Sequence, residues 1–378
     1  MRNRHPELLI PASSLEVLKT AVMFGADAVY IGGEAFGLRA KAKNFSMEDM
    51  KEGVRFAHDH GARVHVTVNI LAHNDDLEGA AEYLKELKEI GPDALIIADP
   101  AIFMLAKEIC PEIERHVSTQ ANNTNYGTFN FWWNLGAKRV VTARELSLAE
   151  IKEIREHIPE DMEIETFIHG AMCISYSGRC LLSNYLAGRD ANQGACTHPC
   201  RWKYSVVEET RPGEYMPVYE NERGTYIFNS KDLCMIDHLP DLVEAGVDSL
   251  KIEGRMKTAL YVATVARTYR KAIDDYKVSP ELYKKNLPWY LDQISNCTYR
   301  QFMKKIFHGT SSRSQAALIE GLPPDFSMES QMILRRSMTA IPMKRIMFIW
   351  ELPEKQMKMV SLIWSRKINF LWARSLRS

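Results

Sequence analysis

The sequence predicts an α/β fold, a (β/α)8 TIM-like barrel. Three observations lead to this class: eight short apolar runs rich in β-branched residues, helical spacing between most of them, and helix boundary signals around several helices. Apolar strands that alternate with helices indicate a parallel sheet buried on both faces, and eight such units favour a closed barrel. An open doubly wound sheet is the alternative, although no GxGxxG motif follows the first strand.

The predicted elements alternate along the chain. The strands are residues 8–12, 28–33, 63–70, 94–100, 115–120, 139–143, 163–170 and 249–254. Amphipathic spacing predicts helices within residues 14–26, 46–61, 76–91, 147–159 and 239–246. Three helices open with a capping pair, namely Ser13 with Glu16, Ser46 with Asp49, and Ser147 with Glu150. The glycines that end helices are Gly25, Gly61, Gly91 and Gly246.

Composition and charge exclude several classes of protein. The chain has 378 residues with 48 basic and 48 acidic side chains, so its formal charge is zero and no general polyanion-binding field is implied. Any contact with nucleic acid must therefore be local. Residues 1–14 lack a signal-peptide pattern, and no apolar stretch reaches the roughly 18–20 residues of a membrane span. We expect a cytoplasmic protein with no membrane partner.

Polar residues follow most of the predicted strands. In a TIM barrel the functional face lies at the C-terminal ends of the strands, which we call the barrel mouth. Arg39, Lys251 and Arg255 are candidates for binding the carboxylate or phosphate of a small anionic substrate. His169 and Glu253 are candidates for catalysis. The other polar residues at strand ends include Glu34, Asn69, Asp99, Gln120, Arg144 and Glu145. The alternative is that these are ordinary loop residues or helix caps.

Five of the seven cysteines lie in the long interval between the seventh and eighth strands. They are Cys173, Cys180, Cys196, Cys200 and Cys234. We interpret Cys110 and Cys297 as ordinary buried core cysteines. Five thiols in one interval of a protein in a reducing compartment indicate metal binding, redox chemistry or catalysis. Structural zinc favours paired CxxC motifs, and the spacings here are C-x6-C and C-x3-C. An iron–sulfur cluster tolerates irregular spacing and suits this set best.

Peptidase chemistry is a further interpretation of the same residues. Neither an HExxH nor a GxSxG motif is present. A nucleophilic Cys173 activated by His169 is conceivable, because an imidazole next to a thiol favours the thiolate.

Several motifs resemble those of peptidase family U32. The resemblance rests on residues 165–183, which begin ETFIHGAMC, and on residues 189–204, 224–234 and 249–257. It covers roughly residues 7–290 and is strongest to the bacterial members that hydroxylate the wobble uridine of tRNA at carbon 5. This resemblance implies tRNA as partner and an oxygen-independent reaction with prephenate as co-substrate. Within the same family, a collagenase-like protease or a non-catalytic subunit that acts with a second U32 protein is the alternative.

The resemblance also implies a [4Fe–4S] cluster. Its ligands here would be Cys173, Cys180, Cys196 and Cys234, with Cys200 as an alternative ligand. A cluster at the rim of a polar barrel mouth could exchange electrons with a substrate held beneath it.

A short basic and aromatic stretch is a candidate RNA contact. It consists of Arg201, Trp202, Lys203 and Tyr204, whose rings and cations could stack an unpaired base and neutralise phosphate. The alternative, which we favour from the sequence, is that Trp202 and Tyr204 pack the insertion onto the barrel.

Two parts of the chain are predicted. Residues 1–290 form the barrel, including the cysteine-rich insertion at 171–235, and residues 291–378 form an atypical C-terminal segment. Residues 327–378 contain no Gly, Asp, His, Cys or Tyr but seven Met, with ten basic and three acidic residues. This composition fits neither a β-domain nor an ordinary disordered tail, and we interpret it as the result of a shifted reading frame near residues 303–310. A basic amphipathic extension is the alternative.

Overall fold

The computed structural model describes most of the first 303 residues. The described residues are 5–33, 36, 44–173, 175–177, 179–189, 196–197, 199, 205–206, 216–217, 220–221, 224–225, 232–255, 257–297 and 302–303. The chain divides into two units, residues 1–307 and 308–378, and all described residues belong to the first. The composition-based interpretation of the C-terminal segment therefore concerns residues outside the described part.

Eight parallel strands close into a barrel, as predicted. In chain order they are β1 (Glu7–Pro11), β2 (Ala28–Gly32), β3 (Arg63–Val68), β4 (Ala94–Ile97), β5 (Glu114–Val117), β6 (Arg139–Val141), β7 (Glu163–Ala171) and, as the eighth barrel strand, β13 (Ser249–Ile252). Neighbouring strands pair in parallel from β1 through β7, and β13 closes the ring between β7 and β1. All eight lie where the apolar runs predicted them.

Helices follow the strands and cover the barrel. They are α1 (Leu15–Met23), α2 (Met47–Asp59), α3 (Asp76–Ile90), α4 (Pro100–Ile109), α5 (Tyr126–Leu135), α6 (Leu148–Glu156), α7 (Leu182–Ala187), α8 (Leu239–Glu244), α9 (Ala259–Val278) and α10 (Pro280–Ser295). Two short 3-10 helices span Thr119–Ala121 and Ile236–His238. The predicted helices correspond to α1, α2, α3, α6 and α8. Sequence reasoning did not propose α4 and α5, whose apolar and aromatic residues leave little polar face to mark a helical period.

Side-chain caps fix the starts of the helices. Ser46 and Ser147 cap α2 and α6 as predicted, and Ser147 forms a full capping box with Glu150. The prediction for α1 was wrong by one residue, because Ser14 and not Ser13 accepts the Val17 N–H. Gly91 ends α3 in the left-handed conformation, with φ of 70°, which a residue without Cβ adopts at no steric cost.

The insertion after β7 adds a short strand to the barrel. Strand β12 (Asp232–Cys234) runs antiparallel to the end of β7, and β14 (Phe302–Met303) pairs with β12. Two pairs of two-residue strands precede it, β8 (Ser205–Val206) with β9 (Met216–Pro217) and β10 (Glu220–Asn221) with β11 (Gly224–Thr225). The boundary predicted at residue 290 falls inside α10, so the helical part of the barrel unit continues beyond it. No helix in the described ranges combines the length and apolar character needed to cross a membrane.

Candidate active site at the barrel mouth

Three side chains from neighbouring strand ends meet at the barrel mouth. Arg144 follows β6, Cys173 follows β7, and Glu253 follows β13. Arg144 Nη1 donates to Cys173 Sγ at 3.6 Å, and Arg144 Nη2 donates to Glu253 Oε2 at 3.3 Å. Because strands β6, β7 and β13 are adjacent in the barrel, this contact joins three consecutive loops. We call Arg144, Cys173 and Glu253 the mouth triad.

The surroundings of Arg144 stabilise its positive charge. Burial alone would lower the pKa of its guanidinium, but the electrostatic interactions with Cys173 and Glu253 outweigh that effect and raise it. The guanidinium also lies over the Phe167 ring, 4.3 Å from the ring centroid. The mouth therefore contains a permanent, oriented cation next to a cysteine sulfur.

Lys251 lies beneath the mouth and has a structural partner. Its ammonium donates to Glu165 Oε1 at 2.7 Å, and both side chains are buried. The same ammonium lies 4.6 Å from the Tyr30 ring centroid and 5.4 Å from that of Phe167. Lys251, predicted as a substrate-anion contact, is thus paired with Glu165 inside the barrel.

The ion pair of Lys251 is the upper end of a buried charge network. Arg139 contacts Glu165 at 3.1 Å, Glu7 at 2.6 Å and Glu163 at 2.7 Å. Burial would raise the pKa of Glu165, but Lys251 and Arg139 outweigh it and lower the pKa. The lower barrel interior is therefore ionic, and each charge depends on its partner for stability.

Arg255 is placed at the opposite side of the mouth. Its Nη1 donates to Thr67 Oγ1 of β3 at 2.9 Å, and the side chain is nine-tenths buried. A Cβ at Gly32 would overlap Arg255 Nη1, so this glycine permits the close approach. Another pair of polar side chains lies at the mouth: Asn69, after β3, donates from Nδ2 to Ser118 Oγ, after β5, at 3.3 Å. The sequence-based assignment of Arg255 to the mouth agrees with this position.

His169 does not face the mouth. Its ring is fully buried and packs against Tyr261 and Tyr269 of α9, and its Nδ1 lies 3.4 Å from the Tyr269 hydroxyl. Burial, helped by the positive charge of Lys257, lowers the pKa of His169 to about 3. The predicted catalytic candidate His169 thus lies in the core against α9, and the sulfur of Cys173 contacts Arg144.

The predicted cluster ligands occupy different environments. Cys173 is exposed, Cys180 and Cys196 are half-buried, and Cys234 is buried with its sulfur 3.9 Å from the Tyr269 hydroxyl. Of the described residues, no three His, Cys, Asp or Glu side chains stand together in a way that could hold a metal ion.

One interaction does connect two of the cysteine segments. The Ser183 hydroxyl accepts the Thr197 N–H at 3.0 Å and lies 3.1 Å from the Thr197 hydroxyl. Ser183 is three residues after Cys180, and Thr197 directly follows Cys196, so both segments are held to each other. Thiolates are the ordinary ligands of an iron–sulfur cluster, so the residue type fits such a cluster. In the described arrangement, however, no three of these sulfurs lie close enough together to bind one.

Other predicted site residues lie outside the described residues. These are Arg39, Cys200, Arg201, Trp202, Lys203 and Tyr204. Sequence reasoning placed Arg144 at the mouth but gave it no role, and it did not single out Tyr30 or Glu165. The sequence feature that could have identified Arg144 is its position shortly after a barrel strand. Several other polar residues share this position, so it does not distinguish Arg144 from them.

The fold and the site define a class, a TIM barrel whose mouth is formed partly by a cysteine-bearing insertion after the seventh strand. Residues 13–316 match peptidase family U32, and the chain belongs to this family.

Curated relatives of the chain are named for RNA hydroxylation. The chain is 46% identical over 307 residues to tRNA hydroxylation protein P1 of Bacillus subtilis, which covers 81% of this chain and 72% of that one. It is 46% identical over 309 residues to tRNA hydroxylation protein P of Escherichia coli, with coverage of 71% and 68%. A 23S rRNA 5-hydroxycytidine synthase of Escherichia coli is 41% identical over 268 residues, which are 71% of this chain and 39% of the synthase.

Proposed function

We propose that the chain is an RNA-modifying enzyme that hydroxylates carbon 5 of the wobble uridine in tRNA, with prephenate as co-substrate and without molecular oxygen. Two of its relatives are named for tRNA hydroxylation and a third for making 5-hydroxycytidine in rRNA. Hydroxylation of RNA is the chemistry that these names share. The observation that carries the proposal is the mouth triad, where Arg144 joins Cys173 and Glu253 at the functional face of a U32 barrel.

The mouth offers two cations for an anionic co-substrate. Arg144 and Arg255 lie on different sides of the mouth, and guanidinium groups bind carboxylates through paired hydrogen bonds. Prephenate carries two carboxylates, and a guanidinium on each side of the mouth suits them. Arg39 and Lys251, the other two predicted substrate contacts, belong to the same proposal.

Glu253 is the residue we assign to proton transfer. Replacing a C–H bond by C–OH removes a proton from the ring carbon, and a carboxylate at the mouth can accept it. The side chain of Glu253 is largely buried and is oriented by Arg144, so it has a fixed direction.

The replacement of C–H by C–OH is a two-electron oxidation, and we propose that the co-substrate is the electron acceptor and that a [4Fe–4S] cluster would carry the electrons to it. Cys173, Cys180 and Cys196 would be ligands, with Cys234 as the fourth and Cys200 as its alternative. When bound, such a cluster supplies one-electron transfers. The contact between the Cys180 and Cys196 segments through Ser183 and the cation next to Cys173 support this proposal.

The remaining proposals concern partners and location. tRNA would be bound at the mouth, with Arg201, Trp202, Lys203 and Tyr204 as a candidate RNA contact. In the alternative, a second U32 protein carries out the catalysis and this chain is its non-catalytic partner subunit. A reducing cytoplasm would keep the thiols available as ligands.

The test is nucleoside analysis of tRNA. The full chain is expressed in a bacterial strain whose own tRNA hydroxylation genes are deleted, and 5-hydroxyuridine and its derivatives are measured by mass spectrometry. We expect the modified nucleoside to return with the wild-type chain and to be absent with Glu253→Gln. The proposal fails if the wild-type chain leaves the tRNA unmodified both alone and together with a second U32 protein.

A further inference from the structure

The insertion carries an exposed apolar and basic surface that the mouth triad does not use. It is formed by Tyr176, Arg179, Leu181, Tyr185, Leu186 and Arg189, which we call the α7 patch. Tyr185 is 85% exposed and Leu181 is 75% exposed, which are the two largest exposures among the large apolar side chains of the described residues. Large apolar groups exposed together mark an interaction site.

The helix beneath the patch is held by its buried side. Ser183 is fully buried and accepts the Thr197 N–H at 3.0 Å. Gly188 ends the helix in the left-handed conformation, with φ of 59°, and its N–H donates to Asn184 O at 2.7 Å. The outward side chains therefore project from an anchored backbone, which lowers the entropy cost of binding.

The local charge of the segment is positive. Residues 166–189 contain no Asp or Glu, although a quarter of the chain is charged and its formal charge is zero. Arg179 and Arg189 are both exposed and lie at the two ends of the patch. Asp190 directly follows Arg189 in the sequence, so the two arginines and this one carboxylate give residues 166–190 a formal charge of +1. Exposed rings beside exposed arginines are complementary to the bases and phosphates of single-stranded nucleic acid.

The patch lies next to the barrel mouth. Tyr176 is three residues from Cys173, so their Cα atoms are at most about 11 Å apart. An enzyme that modifies a base must take that base out of its stack, and the neighbouring nucleotides then need new stacking partners. Tyr176, close to the mouth, and the exposed Tyr185 on α7 offer such rings.

We propose that the α7 patch binds the unpaired nucleotides that flank the target base in the RNA substrate, with Tyr185 stacking on one base and Arg179 and Arg189 contacting phosphates. This inference rests on the proposed function. RNA is favoured over protein because the exposed rings of the patch stand with two exposed arginines, which suit bases and phosphates together. One exposed aromatic ring, such as that of Tyr185, is enough to stack on one base.

The experiment measures binding of the full chain to unmodified tRNA and to a fluorescent oligouridine across a series of salt concentrations. Tyr185→Ala is expected to weaken binding by about tenfold or more, because stacking on a base is lost. Tyr185→Phe is expected to recover most of that loss, since it retains the ring. Arg179→Gln with Arg189→Gln is expected to reduce the slope of log affinity against log salt by about 0.7 for each lost phosphate contact.

Matched controls come from the outer surface of the barrel. Phe131→Ala removes an aromatic side chain that is 53% exposed on α5, and Arg55→Gln removes an exposed arginine on α2. Neither is expected to change RNA affinity. Thermal unfolding of every variant checks that the fold is retained.

The outcomes separate the inference from the proposed function. If the wild-type chain binds and hydroxylates tRNA and the patch variants bind equally well, the inference is overturned and the function stands. If the chain leaves tRNA unmodified but binds oligouridine through Tyr185, the function fails and the patch assignment stands. If wild-type chain binds neither RNA, both are overturned. If Tyr185→Ala changes only the oligomeric state in sedimentation, the patch is a protein interface and the inference is wrong.

Discussion

Arg144 Nη1 lies 3.6 Å from Cys173 Sγ, so the loop that follows β6 is tied to the first cysteine of the insertion. The same guanidinium holds Glu253 at 3.3 Å. One side chain thus links the proposed redox ligand to the proposed proton acceptor. Its charge is stabilised by both partners, and removal of that charge affects both at once.

Replacement of Arg144 by Gln is expected to lower tRNA hydroxylation strongly. Hydrogen bonds to charged groups contribute about 1.5–3 kcal/mol each, so losing the contact to Glu253 alone predicts at least a tenfold decrease. Arg144→Lys keeps the positive charge but cannot contact both partners with one planar group, and we expect an intermediate activity. The measurement is 5-hydroxyuridine per tRNA, with thermal unfolding as the control for folding. Full activity of Arg144→Gln would contradict a role for the mouth triad.

Replacement of Lys251 by Met is expected to destabilise the barrel. It leaves Glu165 buried without its 2.7 Å partner, and breaking a buried ion pair costs about 3–5 kcal/mol. The matched control is Lys152→Met, whose exposed pair with Glu244 contributes about 0–1 kcal/mol. Free energies of unfolding from urea titrations give both values. Unchanged stability of Lys251→Met together with lost prephenate binding would support Lys251 as a substrate contact.

The fold was predictable because its signals are local. Each barrel strand is a short apolar run, and serine caps and terminal glycines mark the helices within a few residues of each boundary. The one incorrect cap arose where two serines are adjacent, and only the backbone conformation selects Ser14 over Ser13. Such signals need no knowledge of distant parts of the chain.

The chemistry of the site was less predictable because it depends on distant pairs. Lys251 follows the strand pattern of a mouth residue, but its charge is taken up by Glu165, which is 86 positions earlier. His169 is displaced by a β-bulge: Lys251 pairs with Phe167 and Ile252 pairs with His169, so the register shifts between them. The bulge changes the face to which His169 points, and period-two reasoning cannot detect this.

Cysteine replacements test the proposed cluster directly. Cys173→Ser, Cys180→Ser, Cys196→Ser and Cys234→Ser are each expected to reduce bound iron and the visible absorption of anaerobically purified protein, because a cluster requires all its thiolates. Cys110→Ser is the control, since Cys110 is buried in the core and its sulfur donates to the Ala106 carbonyl.

The same series assigns the fourth ligand. Cys234 is buried next to Tyr269, so it binds iron only if its side chain turns away from that hydroxyl. If Cys234→Ser retains iron and Cys200→Ser loses it, Cys200 is the ligand. If all five variants retain the iron content of the wild-type chain, or if the wild-type chain contains none, the cluster proposal is wrong.

The pH dependence of stability follows from the buried His169. Its pKa is about 3 in the folded chain, against an unfolded value near 6.5, because burial disfavours the charged imidazole. Above pH 6.5 both states are neutral and His169 contributes no pH dependence. Between pH 6.5 and 3 only the unfolded state binds the proton, so the folded state loses stability as the pH falls.

Replacement of His169 by Gln is therefore expected to make the chain less sensitive to acid. From pH 7 to pH 5 the wild-type chain should lose about 2 kcal/mol more free energy of unfolding than the variant. Urea titrations at the two pH values measure this difference, and it is independent of any uniform destabilisation by the substitution. His58→Gln is the control, because that side chain is exposed on α2. Equal losses in the wild-type chain and His169→Gln would show that His169 takes up a proton without unfolding, which would contradict its placement against Tyr261 and Tyr269.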